Sequence, residues 1–343
     1  MHSCAFSATQ SAKSHLFCVA PMMDYTDRHC RYLLRLLSRK AFLYTEMIPA
    51  LALTQNNSPE RFLEFNQAEH PIALQIGGSD PQVLANATRM AAMWGYDEVN
   101  LNIGCPSSRV TSGRFGACLL EEPDLVADCV KAMSDASPLP ITVKTRIGLD
   151  KLDADHYLDF FINKVAEAGC RTFIIHARKA WLKGLSPKEN REIPPLNYKR
   201  VFRLKKSFPH LRIVLNGGLQ SLKSAKRVLG QRYRPSIDGV MLGRALYRDP
   251  YMLANVDHQF FRANSHVTSR SEVVRHYAAY AERTTRLGCR PHYILRHLSG
   301  LFYGREGAGA WRKHLNRIGQ TGESTRDLIK LAIKLDGHIS LAA

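Results

Sequence analysis

An α/β fold, a (β/α)8 barrel followed by a smaller all-helical segment, is what this sequence predicts, and three observations predict it. From residue 16 onward, short apolar or β-branched runs alternate with longer amphipathic stretches, the pattern of repeated strand-helix units around a parallel sheet. Eight such runs can be counted before residue 250. No Gly-x-Gly-x-x-Gly follows the first run, which argues against an open dinucleotide-binding sheet whose pyrophosphate needs those glycines.

The strands are expected at 16–20, 42–47, 72–76, 98–103, 140–145, 172–176, 212–216 and 237–242. Between them the helical faces are plain: over residues 81–94, Val83, Leu84, Ala87, Met90, Ala91 and Trp94 recur at spacings of three and four, a packing stripe. After Asp249-Pro250 the strand signals stop, and residues 269–338 read as three or four helices. The expected organisation is a disordered tail over 1–14, a barrel over 15–263 and a helical domain over 264–343, with the boundary near Asn264-Ser265.

Composition narrows the function. The 343 residues include 48 Lys and Arg against 30 Asp and Glu, a net charge of +18, and such an excess favours a polyanionic partner. The charge is clustered, since residues 178–206 hold ten basic and two acidic side chains and residues 264–343 hold thirteen and six. Eight cysteines include no Cys-x-x-Cys pair and no zinc-finger histidines, so neither a zinc site nor an iron-sulfur cluster is indicated, and no metal is expected. With no secretory signal and no run approaching a membrane span, a reduced cytoplasmic setting is expected.

A barrel of this kind assembles its chemistry at the carboxyl ends of its strands. The most informative such end is Asn100-Leu101-Asn102-Ile103-Gly104-Cys105-Pro106, where glycine permits a tight turn and proline fixes the following dihedral, holding the Cys105 thiol in one orientation. Taken alone, Cys105 reads as a small buried hydrophobe. Its neighbours change that reading. Gln75, Asn102, Lys144, Arg146 and His176 also stand at strand ends, and an amide, a lysine and a histidine suit a flat, electron-rich ring. After strands seven and eight, Asn216-Gly217-Gly218 and the Gly243-Arg244 pair provide close backbone approach, exposed amides and a cation, as a phosphate requires. A phosphorylated ring cofactor such as flavin mononucleotide fits both halves.

These residues resemble the tRNA-dihydrouridine synthases, most closely their synthase A branch, over about residues 16–320. The motifs are Ala20-Pro21-Met22-Met23-Asp24, Thr45-Glu46-Met47, Leu74-Gln75-Ile76-Gly77-Gly78, Asn102-Ile103-Gly104-Cys105-Pro106-Ser107, Lys144-Thr145-Arg146, His176-Ala177-Arg178 and Asn216-Gly217-Gly218. The loop from Arg178 to Pro194 looks like the synthase A version. The resemblance implies an FMN enzyme that reduces uridine to dihydrouridine in the tRNA D-loop, chiefly at positions 20 and 20a, with NADPH as reductant. It implies that Pro21, Met22, Met23, Gln75, Lys144, His176, Asn216, Gly217, Gly218, Gly243 and Arg244 hold FMN. Cys105 would protonate uracil C5 opposite the hydride arriving at C6. An ordinary thiol is mostly protonated at neutral pH, so it needs no activating base for this role.

A base buried in the tRNA elbow must be turned out to reach the rim, and basic surface must offset that unstacking. By similarity, Asn102, Lys188, Arg191 and Arg312 meet the tRNA; Lys183, Arg290, Arg296 and Lys313 are further basic candidates. One departure stands out: the family often carries an arginine three residues before Arg312, where this chain has Gly309. Gln231-Arg232-Tyr233-Arg234-Pro235 reads as a surface excursion. The rival readings are a small-molecule pyrimidine reductase of the dihydroorotate type, an RNA-binding barrel without catalysis and a flavin-free phosphate-binding lyase. No obligate protein partner is evident, and a monomer is expected.

Overall fold

The structure is a computed structural model that describes residues 15–107, 110, 113–150, 154–230, 236–264, 266–321 and 325–337. The tail over 1–14 and the excursion at Gln231–Pro235 lie outside the described residues. Every expected strand is present: β1 (Phe17–Val19), β2 (Leu43–Pro49), β3 (Ile72–Gly77), β4 (Glu98–Ile103), β5 (Ile141–Arg146), β6 (Thr172–His176), β7 (Arg212–Asn216) and β8 (Gly239–Leu242). Each pairs in parallel with its neighbour in sequence from β2 to β8, and β8 pairs with β1 through Phe17↔Val240 and Val19↔Leu242. The ring closes where Val19 N donates to Phe42 O at 2.8 Å and Phe42 N to Phe17 O at 2.9 Å. This is a (β/α)8 barrel.

Between and behind the strands lie α1 (Arg28–Leu37), α2 (Ala50–Thr54), α3 (Glu60–Leu63), α4 (Pro81–Trp94), α5 (Pro123–Ala136), α6 (Ala154–Glu167), α7 (Tyr198–Ser207), α8 (Leu222–Leu229), α9 (Arg244–Arg248) and α10 (Val256–Phe261). Local chemistry sets their ends. Asp80 caps α4 by accepting from Val83 N, proline opens the helix, and Gly95 closes it in the left-handed region at φ 84°. The apolar faces of these helices and the outward residues of the strands form the main core. Inside the ring sits a smaller cluster of Cys18, Ala20, Phe42, Tyr44, Ala73, Ile174, Val214 and Met241. The rest of the lumen is polar, because β4 and β5 alternate: Glu98, Asn100, Asn102 and Thr142 form interstrand side-chain hydrogen bonds, while Val99, Leu101 and Val143 join the outer core.

Among the described residues four helices follow the barrel, α11 (Arg270–Arg286), α12 (Pro291–Leu295), α13 (Ala308–Thr321) and α14 (Arg326–Gly337). The first of them and the turn at Arg296–His297 dock on α1 through polar as well as apolar contacts. Tyr280 OH lies 2.7 Å from His29 Nδ1, Tyr277 OH donates to His29 O at 3.2 Å, and the Tyr32 and Tyr280 rings stack at 4.0 Å. Asp27, the α1 cap, also receives Arg296 at 2.6 Å and faces His297. Arg296, expected among the free basic candidates, is thus paired in this joint.

The joint should be acid-sensitive. Burial first, then the neighbouring Arg28, His297 and Arg296, pull the His29 imidazole down to about 4, against the opposing attraction of Asp27. A lowered histidine is neutral in the fold, so the unfolded chain binds the extra proton between the ordinary imidazole value and about 4. Stability is therefore full above the ordinary value and falls as pH drops through that window. The expected melting temperature declines across it, and His29→Gln flattens the decline; equal slopes in both proteins would refute the assignment.

Candidate active site

Strand register gathers the rim. Asn102 pairs with Lys144, Arg146 with His176, and His176 with Asn216, so side chains from four successive strands meet above the lumen. The cysteine turn is held from below: Asn102 Oδ1 accepts from Gly104 N at 3.1 Å and Cys105 N at 3.0 Å. It is held from the side as well. Cys105 O accepts from Ala117 N at 2.9 Å, and Gly116, at φ 80°, passes so close that an added Cβ would lie 2.7 Å from Cys105 O. The thiol itself is half-buried, with Ser107 Oγ at 3.6 Å. It is a positioned thiol at an open rim.

Arg146 ties this turn to the long loop after β6. Its guanidinium is buried and donates to Gly104 O at 3.0 Å, Lys179 O at 3.0 Å and Asn190 O at 2.8 Å. Asn190 is buried too and staples the loop internally, bonding Trp181 N and O and Leu185 O. Arg191 follows it on the rim, close enough to influence Lys144, His176 and Cys105. In the sequence Arg146 stands out only as a strand end with no role attached, and Asn190 has no signal at all, since an asparagine in a polar loop carries no pattern.

The electrostatics call for an anion. Burial first, then Arg146 and Arg191, pull the Lys144 ammonium down to about 8, with Cys105 opposing, and among the described residues its side chain makes no hydrogen bond. Burial, then Arg146, Lys144, Arg178 and Arg191, hold His176 well below the usual imidazole range, so it is neutral at pH 7. Arg178 has a buried Nε with no partner. Arg244 pairs with Glu192 at the loop's end. Cations so close together repel one another unless a negative group joins them.

The backbone leaves room for such a group. Gly217, at φ 107°, lies against the imidazole, where an added Cβ would meet His176 Cδ2 at 2.5 Å. Gly218 is exposed at φ 70°, Gly243 precedes α9, and an added Cβ there would stand 3.2 Å from Met22 Sδ. Asn216 braces the cradle, donating from Nδ2 to Met241 O at 2.8 Å. Pro21 and Met22 are half-buried beside it, and Met23 is exposed. Arg191 on the rim is exposed, and further out Lys183, Lys188, Arg290, Arg312 and Lys313 are exposed too, as polyanion contacts must be. Gly309 faces open space. Among the described residues no group of three or more potential ligands could hold a metal ion, and no helix is long and apolar enough to cross a membrane.

A family model for dihydrouridine synthases matches residues 18–336. The chain belongs to the dihydrouridine synthase family. Relatives named tRNA-dihydrouridine(20/20a) synthase include one from Shewanella oneidensis, 51% identical over 316 residues and covering 92% of each chain. One from Vibrio vulnificus is 49% identical over 333 residues, 97% of each, and one from Escherichia coli K12 is 50% identical over 320 residues, 93% of this chain and 91% of that one. Among solved structures, a 2-naphthoyl-CoA reductase complex superposes with a TM-score of 0.53 at 14% identity, over 70% of this chain and 49% of that longer one. An old yellow enzyme homologue from Zymomonas mobilis gives 0.50 at 11% identity, over 74% and 89%. At such identities these two show a shared fold.

The synthase family is flavin-dependent, and the rim of this synthase fits a flavin: an amide, an ammonium and a neutral imidazole stand on one rim with a glycine cradle. Gly217→Ala tests that fit. The methyl would press on His176 in a backbone conformation that disfavours side chains, at a strain of order 1–3 kcal/mol, so flavin affinity should drop about 5- to 150-fold. Fluorescence titration reads this; unchanged affinity would remove Gly217 from the cradle.

Proposed function

We propose that this synthase is an FMN enzyme that reduces uridine to dihydrouridine in the tRNA D-loop, at positions 20 and 20a, with NADPH as reductant. The observation that carries this reading is the cysteine turn braced by Asn102 and Arg146 and facing Lys144, His176 and two glycine loops. The naming of three relatives near 50% identity for positions 20 and 20a supports the choice of uridine. When bound, FMN supplies the hydride that reduces uracil C6.

The chain's own residues do the rest. Gln75 and Lys144 bind the polar edge of the ring, and His176, neutral at pH 7, offers one N–H. Asn216, Gly217, Gly218, Gly243 and Arg244 hold the phosphate, with the unpartnered Arg178 Nε as a further donor. Pro21, Met22 and Met23 wall the ring. Cys105 gives its thiol proton to C5, leaving a thiolate that the surrounding cations stabilise until it is reprotonated from solvent. The hydride at C6 and the proton at C5 together account for both hydrogens gained.

The remaining surface delivers the base. Lys188, Arg191 and Arg312, all exposed, contact phosphates and sugars, and Asn102 meets the uracil with the one Nδ2 hydrogen that its bond to Gln75 leaves over. Residues 264–343 form the tRNA-binding helical domain, and residues 15–263 the catalytic barrel, acting as a monomer in the cytoplasm. Mapping dihydrouridine in tRNA from cells with and without this gene tests the whole reading. Loss confined to positions 20 and 20a is the expected result; loss at positions 16 or 17 instead, or at none, would overturn it.

A further inference from the structure

A single line of hydrogen bonds runs through the barrel from the bottom to the cysteine turn. At the top, the N–H groups of Gly104 and Cys105 can only donate, so Asn102 presents Oδ1 to them and Nδ2 to Gln75 Oε1, 2.9 Å away. Gln75 Nε2 then donates to Asn100 Oδ1 at 2.7 Å, Asn100 Nδ2 to Thr142 Oγ1 at 2.8 Å, and the Thr142 hydroxyl to Glu98 Oε1 at 2.6 Å. All five side chains are buried.

The bottom end is polarised just as firmly. Tyr44 OH donates to Glu98 Oε1 at 3.0 Å, and burial together with Glu98 holds its phenol well above the ordinary value, so it keeps its proton. Arg212, a donor only, lies 3.4 Å from His15 Nδ1, which must accept; His15 Nε2 therefore carries the hydrogen it directs at Glu98 Oε2, 2.7 Å away. Every group from Arg212 to Cys105 N thus has one permitted orientation. Turning any amide over sets two donors or two acceptors face to face in a buried site, where neither can turn to water.

We infer that Glu98 is a positioning residue for the reaction, fixing from below through Thr142 and Asn100, as the Gly104 and Cys105 N–H groups do from above, which atoms of the Gln75 and Asn102 amides face the rim. The inference rests on the flavin reading above. Its consequence is specific: Gln75 offers the cofactor one Nε2 hydrogen and one Oε1 lone pair, each in a fixed place, and Asn102 keeps its oxygen on the Cys105 turn.

Thr142→Val cuts the line with little change of volume, and Thr142→Ser restores it. In the purified flavin-loaded enzyme, Thr142→Val should shift the visible spectrum of bound flavin and lower kcat for tRNA at saturating flavin by at least about tenfold, while Thr142→Ser stays within about twofold of wild type on both. Loss of stability alone would not move the spectrum of the folded, loaded fraction. If Thr142→Val does not fold, Glu98→Gln is judged by the same readouts, since its amide must set a donor against His15 or against Thr142 and Tyr44. Wild-type protein that takes up no flavin overturns the parent reading and this inference with it. A loaded wild type beside a variant of unchanged spectrum and rate overturns this inference alone.

Discussion

Cys105→Ala should bind flavin and tRNA as wild type does, let NADPH reduce the flavin at the normal rate, and yet form dihydrouridine about 100 to 10,000 times more slowly, the usual contribution of a positioned general acid. The selectivity follows from geometry. The thiol is half-buried, and among the described residues its one side-chain hydrogen bond is the long approach to Ser107 at 3.6 Å, so truncation costs the fold little. The turn is built from Asn102 Oδ1 and from Cys105 backbone groups that alanine retains. Separate assays of flavin reduction in a stopped-flow instrument and of dihydrouridine by mass spectrometry check it. Loss of flavin reduction would mean Cys105 supports the cofactor, and full tRNA turnover would remove it from the chemistry.

The second large effect is expected at Arg146. Arg146→Met strips the buried Asn190 carbonyl and the half-buried Gly104 and Lys179 carbonyls of their shared donor, at a cost of roughly 3–5 kcal/mol. Because those carbonyls belong to two loops, the damage is coupled: the cysteine turn loosens and Arg191 loses its platform. The expected outcome is a lower urea midpoint together with a raised KM for tRNA and a reduced kcat. Arg146→Lys should not rescue it, since a compact ammonium on a flexible stem cannot reproduce the planar fork that reaches all three. A variant that is destabilised but has unchanged KM and kcat would show that Arg146 serves the fold alone.

Much of this was legible in the chain. All eight strands are readable from periodicity, because each short, largely apolar or β-branched run is bounded by polar or glycine-rich turns, and a repeated pattern corrects single errors. The rim was readable for a related reason: a residue that ends a strand in a closed barrel has only one place to be. What pattern reading lost was the inside. Over residues 98–103 the strand signal hides an alternation of Glu98, Asn100 and Asn102 with Val99, Leu101 and Ile103, which in a parallel barrel places three polar side chains in the lumen. Two other features have no local signal. Asn190 acts by reaching main-chain groups five to nine residues away, and Arg296 is committed to Asp27, 269 residues earlier. Charge on a helix says that a side chain is basic; only the packing says whether a carboxylate has already claimed it.

The clustered charge and the rim also explain each other. Residues 178–206 supply Arg178 and Arg191 to the rim while leaving Lys183 and Lys188 exposed, so one basic loop serves both the buried anion site and the outer surface. A small pyrimidine would need only the first of these. The polyanion explains the second, and it is what separates this synthase from a reductase of free bases.

The central claim is that Cys105 protonates C5 while the flavin supplies hydrogen to C6, and one experiment addresses it directly. Unmodified tRNA is turned over in deuterated water with FMN and ordinary NADPH, and the positions of hydrogen in the product are read by NMR after nuclease digestion. Rapid exchange of the thiol with solvent predicts deuterium at C5 of positions 20 and 20a, made only when FMN and NADPH are both present and almost abolished in Cys105→Ala. Dihydrouridine formed without flavin, or formed by Cys105→Ala at the wild-type rate with the same label at C5, would contradict it.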